Sequence, residues 1–372
     1  MRSEGHAWRA SWKRRLYPVT SLLTLRVGLV RGRPVVGDEP VTLLLIGDGW
    51  FLKRVAGLIS GDQQVLWTRR IALPMLGRLL RKQAEAYALA FVVLSPWQRR
   101  FLPRGGSHHG RLQISQVLEM ADSWAQVRAR FSRRLREATN GFEAKRGFQC
   151  RVSHSREDFD HFYERMYVPQ ARSRFGVHAN LASPAQLRET FSAGFLLMVE
   201  RQGHSVAAAL CTEHAGILHY NKGGVLDGDV SLLRAGAEMA IYYFLIHHAL
   251  KHGDREIDCG DGMPFLSDGV VQHKSLWGAV LRESQREPQS FDVVGGQDRA
   301  HAARFLHRHP ILVSSEAGVQ LLAAQSAACA DAQGEPAAEA IERWRKLGLH
   351  GVSLLGDRGW RILKLGELEL RD

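Results

Sequence analysis

Four short stretches concentrate side chains able to handle protons and anions. In Leu218-His219-Tyr220-Asn221-Lys222 a histidine and a phenol stand side by side. Either can relay a proton from an amine nucleophile once its pKa is tuned. On a strand, alternation sends His219 and Tyr220 to opposite faces, so only one of them meets a cleft. Downstream, Asp258 and Asp261 flank Gly260. A carboxylate at such a strand end could orient an acceptor amine or act as a base; it could equally bond backbone N–H groups of the following loop. Lys274, three residues before Trp277, carries a cation suited to a phosphate or a developing oxyanion; the alternative is a solvated surface charge. Arg172, Arg174 and Phe175, just before Gly176, could bind an anionic acceptor.

These groups need a frame, and local patterning supplies one. Phe148–Ser153 alternates like a strand. Ser155 stands three residues before Asp158, as at a capped helix start, and Ser183-Pro184 opens another helix. Three strands are expected at 195–201, 205–214 and 217–223, joined at Gln202-Gly203 and Ala215-Gly216, both suited to hairpins. A long helix should run from about 232 to 252, capped by Asp229 or Ser231 and ended by Gly253. The segment 255–262 reads as a strand entering a Gly-rich loop, with a further strand at 271–279. Upstream, 41–47 and 90–95 read as buried strands and 74–89 as a helix. An amphipathic helix is expected at about 123–146, on the spacing of Trp124, Val127, Phe131, Leu135 and Ala138. Beyond about 298 the chain reads as helical and Ala-rich (316–346), ending in strand-like pieces.

Charge is unevenly placed. The net charge is +12, yet residues 1–150 hold 26 basic and 10 acidic side chains (+16), and the remainder 24 and 28 (−4). Such asymmetry fits an electrostatic partner for the first half, whether RNA, anionic lipid or a phosphorylated substrate; the alternative is a solvated basic surface. Cys150, Cys211, Cys259 and Cys329 form no CxxC pair, so neither a zinc signature nor a disulfide framework is expected and a reducing compartment is the default. No uncharged run reaches eighteen residues, so no spanning helix is expected.

The order of elements resembles a GNAT acyltransferase core, and Leu232, Leu233, Gly253, Asp258, Gly260, Lys274, Trp277 and Gly278 resemble the Fem-type branch of that superfamily. The stretches RFSRRLREATNGF and FDHFYERMYVPQARSRFG add to the likeness, which covers roughly residues 115–295. The resemblance implies an α+β fold: a GNAT-like mixed sheet flanked by helices, in two tandem GNAT-like domains. The expected boundaries are a basic segment at 1–40, a divergent copy at 41–150, an active copy at 151–298 and a C-terminal helical extension at 299–372.

It further implies an N-acyltransferase using acyl-CoA as co-substrate, with no permanently bound cofactor. The acceptor would be an amine of a sugar, amino acid or cell-envelope precursor. Lys274, Tyr220, His219 and Asp258 are the candidate catalytic residues. Leu232, Leu233, Arg234, Gly236 and Ala237 are candidates for holding the donor, since the free N–H groups of a helix start favour a pyrophosphate, although their spacing departs from the superfamily's usual loop. Arg172, Arg174, Phe175, Asn221 and Trp277 are candidates for substrate. The alternatives are an aminoacyl-tRNA donor, with tRNA as partner, or a non-catalytic scaffold on a membrane or partner protein. The basic amphipathic stretch 69–83 could lie on an anionic bilayer, or could equally be a core helix with a wet face. The expected location is cytoplasmic, peripheral to the inner membrane where that contact is made.

Overall fold

Hairpin chemistry and helix caps account for most of the elements in the computed structural model, which describes residues 23–34, 38–59, 61–103, 105–176, 181–286, 289–327, 338–356 and 359–367. The tryptophans at 8 and 12 and most of the basic N-terminal segment lie outside the described residues. The chain gathers into two compact units. One takes residues up to Ile114, Met263–Asp268 and Glu283 onward; the other takes Ser115–Gly262 and Gly269–Arg282. The division therefore falls at Ile114, ahead of the expected boundary at 150, and the chain crosses it more than once. Among the described residues no helix is long and apolar enough to cross a membrane.

The first unit holds a six-stranded sheet in the order 61–72, 24–33, 41–46, 89–94, 290–295, 107–111, and a four-stranded sheet of 311–315, 318–324, 351–356 and 359–364. Val41, Phe91, Phe291, Phe305, Leu322 and Leu355 share one core cluster, so residues beyond 299 contribute to a common core with the N-terminal strands. Two expectations fail here. Among its described residues the Ala-rich stretch 316–346 is a strand at Gly318–Ala324, a 3-10 turn at Gln325–Ala327 and an α-helix at Ala338–Lys346. Pairing with Ile311–Ser315 and Gly351–Gly356 outweighs alanine's helix propensity, which is a weak prior against tertiary burial. The basic stretch 69–83 finishes a strand and forms only the short helix Leu76–Lys82. Leu73, Leu76 and Leu80 are buried in the core, so the apolar face is not available to a bilayer.

The second unit is a seven-stranded sheet. We number its elements in chain order: β1 Ile114–Glu119, β2 Phe148–Ser153, β3 Phe195–Arg201, β4 His204–His214, β5 Ile217–Val225, β6 Glu256–Gly262 and β7 Val280–Glu283. The spatial order is β7-β1-β6-β5-β4-β3-β2. The expected β3-β4-β5 meander is present. Both hairpin turns take left-handed backbone at both central residues, Gln202/Gly203 and Ala215/Gly216, as the right-handed twist of the strands demands.

The middles of β3 and β4 are continuously apolar because both of their faces are covered. Leu197, Val199, Ala207, Ala209, Cys211 and Leu218 face one cluster. Leu196, Met198, Ala208 and Leu210 face another, with Phe159, Phe162 and Met166.

The helices are α1 Trp124–Ala129, α2 Arg133–Ala138, α3 Phe142–Arg146, α4 Arg156–His161, α5 Val168–Phe175, α6 Pro184–Ser192, α7 Val230–Ala235, α8 Ala237–His252 and α9 Gly269–Leu276, with a π-helical turn at Phe162–Tyr167. Ser155 and Ser183 cap as expected, the second in a full capping box with Gln186. The expected helix over 123–146 is three helices, because Ser132 takes an extended conformation and caps a new start. The arginine stripe then satisfies carbonyls at the breaks: Arg130 donates to Glu119 O at 2.7 Å and Arg136 to Ala129 O at 3.1 Å. The expected helix over 232–252 is also broken, at Gly236 (φ 102°), which separates α7 from α8. The expected strand at 271–279 is mostly α9, with β7 starting only at Val280.

Candidate active site

β5 and β6 run parallel, but their ladder holds only Ile217–Glu256, Leu218–Ile257 and His219–Asp258. Beyond that pair β5 continues against β4 alone to Val225, which opens the sheet between β5 and β6. Asn221 is the extra residue of a bulge, since the β4 register jumps between Tyr220 and Lys222. Bulges sharpen twist and re-aim side chains. Here Tyr220 is aimed forward along its own strand, so that a Cβ on Gly223 would stand 1.9 Å from the phenol oxygen.

Around Tyr220 a polar cluster forms inside an aromatic shell. Its ring lies 5.6 Å from that of Tyr242 on α8, which in turn lies 5.2 Å from His273 and 5.3 Å from Trp277. Burial pushes the Tyr220 phenol well above its ordinary pKa, with Glu238, Cys211 and Cys259 adding and Arg174 opposing. Burial also lowers His273 below 6.5, against the pull of nearby Glu238 and with Arg174 and Lys274 adding to the drop. Charged forms lose most on leaving water, so both groups are held neutral. Arg174 Nη1 lies 3.4 Å from Glu238 Oε1. Among the described residues, His273 Nε2 is buried with no hydrogen-bond partner, which leaves one ring nitrogen to meet an incoming group.

The sequence-derived candidates divide. Tyr220, Arg174 and Trp277 belong to this cluster. His219 lies on the other face of β5 and meets Asp258, Nδ1 to Oδ2 at 3.1 Å. Asp258 also accepts from Gly260 N at 2.9 Å, so of its two readings it fulfils the loop-bonding one. Lys274 is buried, and its Nζ donates to Gly260 O at 2.8 Å and Asp261 O at 3.3 Å. From α9 it clasps the last residues of β6, so it does stand at a strand end, with its cation spent on two backbone carbonyls. Asn221 is exposed and donates to Thr212 Oγ1. Arg172 is exposed, and the side chain of Phe175 lies outside the described residues. Glu238, Tyr242 and His273 were not read from the sequence. His273 adjoins Lys274 and Glu238 follows the break at Gly236 by two residues, but neither position carries a motif.

The helix start expected to hold a pyrophosphate is differently built. Leu232 and Leu233 pack on the core, Arg234 is exposed, and Gly236 and Ala237 are buried. Asp229 already accepts from Ser231 N at 2.6 Å at the α7 start, and Glu238 occupies the first turn of α8. Two carboxylates thus stand where an anion would be drawn by the helix dipole.

Residues 128–265 match the family model described as an acetyltransferase (GNAT) domain. Similar solved structures include that of L-PGS from Bacillus licheniformis, at 11% identity over 69% of this chain and 78% of that one, TM-score 0.35. Another is FemX, at 15% identity over 71% and 84%, TM-score 0.38. A third is a GCN5-related N-acetyltransferase from Sphaerobacter thermophilus, at 14% identity over 72% and 75%, TM-score 0.31. No curated protein matches by sequence.

Proposed function

We propose that the chain is an acyltransferase that moves an acyl group from acyl-CoA to an amine, with the reaction in the opening between β5 and β6; the match of residues 128–265 to the GNAT acetyltransferase model supports this reading. The acceptor class is an amine of a sugar, amino acid or cell-envelope precursor. The observation that carries this reading is the end of the parallel ladder at His219–Asp258, with the Tyr220 hydroxyl and the unpartnered His273 Nε2 in one cluster.

The chemistry follows from their protonation states. The amine nitrogen attacks the thioester carbonyl, a C–N bond forms and the C–S bond breaks. Neutral His273 accepts the proton released by the attacking nitrogen through Nε2. Tyr220, held protonated, donates to the departing sulfur and recovers its proton from His273. Arg174, paired to Glu238, supplies positive charge toward an anionic acceptor. Lys274 is a positioning residue in this scheme, since its bonds hold the turn at Gly260.

One observation favours a second donor. The Asp229 and Glu238 carboxylates at the helix starts oppose a pyrophosphate there, which supports an aminoacyl ester carried by tRNA, and the +16 first half suits RNA phosphates. Incubation with acetyl-CoA or with charged tRNA and a panel of amines, read by mass spectrometry, tests both. N-acylated product from acetyl-CoA supports the first reading; product from charged tRNA alone moves the donor to the second; no product with either donor overturns both.

A further inference from the structure

At the far end of α8 from Glu238, a second constellation stands apart from this chemistry. The ten residues from Glu238 to His248 span about 15 Å of helix axis. His248 and His252 are four residues apart on α8, hence on one face, and Glu213 reaches them from β4. One ligand atom from each of the three lies within 4.8 Å of the others. His248 Nε2 and Glu213 Oε1 are 2.6 Å apart. The Nδ1–H of His252 donates to His248 O at 2.9 Å, which fixes its tautomer and leaves Nε2 with a lone pair.

A further carboxylate, outside the group of three, adds negative charge to it. Gly253 turns left-handed at φ 75°, and Asp254 N then donates back to Ala249 O at 3.0 Å. This folds the Asp254 carboxylate into the field of Glu213, His248 and His252. Among the described residues its Oδ2 is buried without a hydrogen-bond partner.

We infer that Glu213, His248 and His252 form a binding site for a divalent transition cation of the zinc class. Two imidazoles with one carboxylate, and a fourth position for water, are a donor set that suits zinc and disfavours the all-oxygen preferences of calcium and magnesium. The bond from His252 to a backbone carbonyl is the outer-shell contact that orients a ligating histidine. Bonds of about 2.0–2.1 Å place tetrahedral ligand atoms about 3.3 Å apart, so the His248–Glu213 contact opens slightly as the metal replaces its proton. Glu213 and His252 are exposed and can swing to close the remaining distances. The bound metal would staple the β4–β5 hairpin to the end of α8 and so brace β5 just before its ladder with β6.

Metal-stripped full-length protein titrated with Zn2+ against a chromophoric chelator tests the site. The chain holds 17 histidines, so variants must separate this site from scattered binding. One tight equivalent is expected, weakened at least about tenfold in His252→Ala and in Glu213→Gln and unchanged in His214→Ala. Zinc should also raise the thermal midpoint of the parent and not of His252→Ala, whose exposed side chain leaves the fold intact by circular dichroism. Absence of a tight equivalent, or one that both ligand variants retain, overturns the inference.

Discussion

The phenol oxygen of Tyr220 occupies the space that any side chain at Gly223 would need: an added Cβ would lie 1.9 Å from it. The two residues are therefore coupled, one supplying the hydroxyl and the other its seat. Tyr220→Phe keeps the ring and its packing on Tyr242 and should lower kcat by about 100-fold with a modest change in KM. Gly223→Ala retains the hydroxyl but evicts it, and should approach the same loss. Steady-state kinetics with near-ultraviolet circular dichroism checks both; full kcat in Gly223→Ala would falsify the placement of Tyr220.

His273 predicts a pH profile. Burial lowers its pKa below 6.5, so the neutral base prevails at neutral pH and kcat/KM should fall only as the pH drops below that value. His273→Gln should remove this acid limb and most of the rate. The linked stability has the same sign. His108, His247, His273 and His309 all have pKa values lowered by burial. The unfolded chain thus takes up more protons as the pH falls below 6.5, and stability is lost in that window and kept above it. Urea midpoints between pH 5 and 8 measure this directly.

Lys274→Met removes the cation that bonds Gly260 O and Asp261 O. Two carbonyls then lose a buried donor, at a cost of about 1–3 kcal/mol. Hydrogen exchange should rise across 258–263 and kcat should fall, while the acid limb moves to slightly higher pH because a cation that holds the His273 pKa down is gone. Loss of the limb altogether would instead make Lys274 part of the proton path.

In the first unit Asp292 is fully buried and bidentate to Arg99, at 2.9 and 3.0 Å. Removing one partner of a buried pair strands the other. Arg99 is 36% exposed and can rehydrate, so Asp292→Ala should cost about 2–3 kcal/mol rather than the full penalty of a sealed pair. Chemical denaturation followed at this unit's tryptophans would read it.

Elements whose signals close within a few residues are legible in the amino-acid order alone. Gly203 and Gly216 supply the left-handed backbone that the two hairpin turns need, Ser155 and Ser183 cap the helices they precede, and the β3-β4-β5 meander follows. A turn or a cap is satisfied by its own neighbours, so tertiary context has little to add. Periodicity misleads where it runs past such a signal. The apolar spacing through 123–146 is real, since Val127, Phe131 and Leu135 are all buried, but the Ser132 cap breaks the helix inside it. Gly236 does the same between α7 and α8.

The sequence by itself determined the meander and its caps, and it offered Tyr220 as a candidate. Only the tertiary structure decided which groups gather around Tyr220. Arg174, Tyr220, Glu238 and His273 come from α5, β5, α8 and α9, and they meet because β5 and β6 part after one His–Asp pair while Gly236 restarts the helix beside them. Burial, which sets the protonation of Tyr220 and His273, is a property of that assembly. No residue carries it in isolation, so no local pattern could announce it.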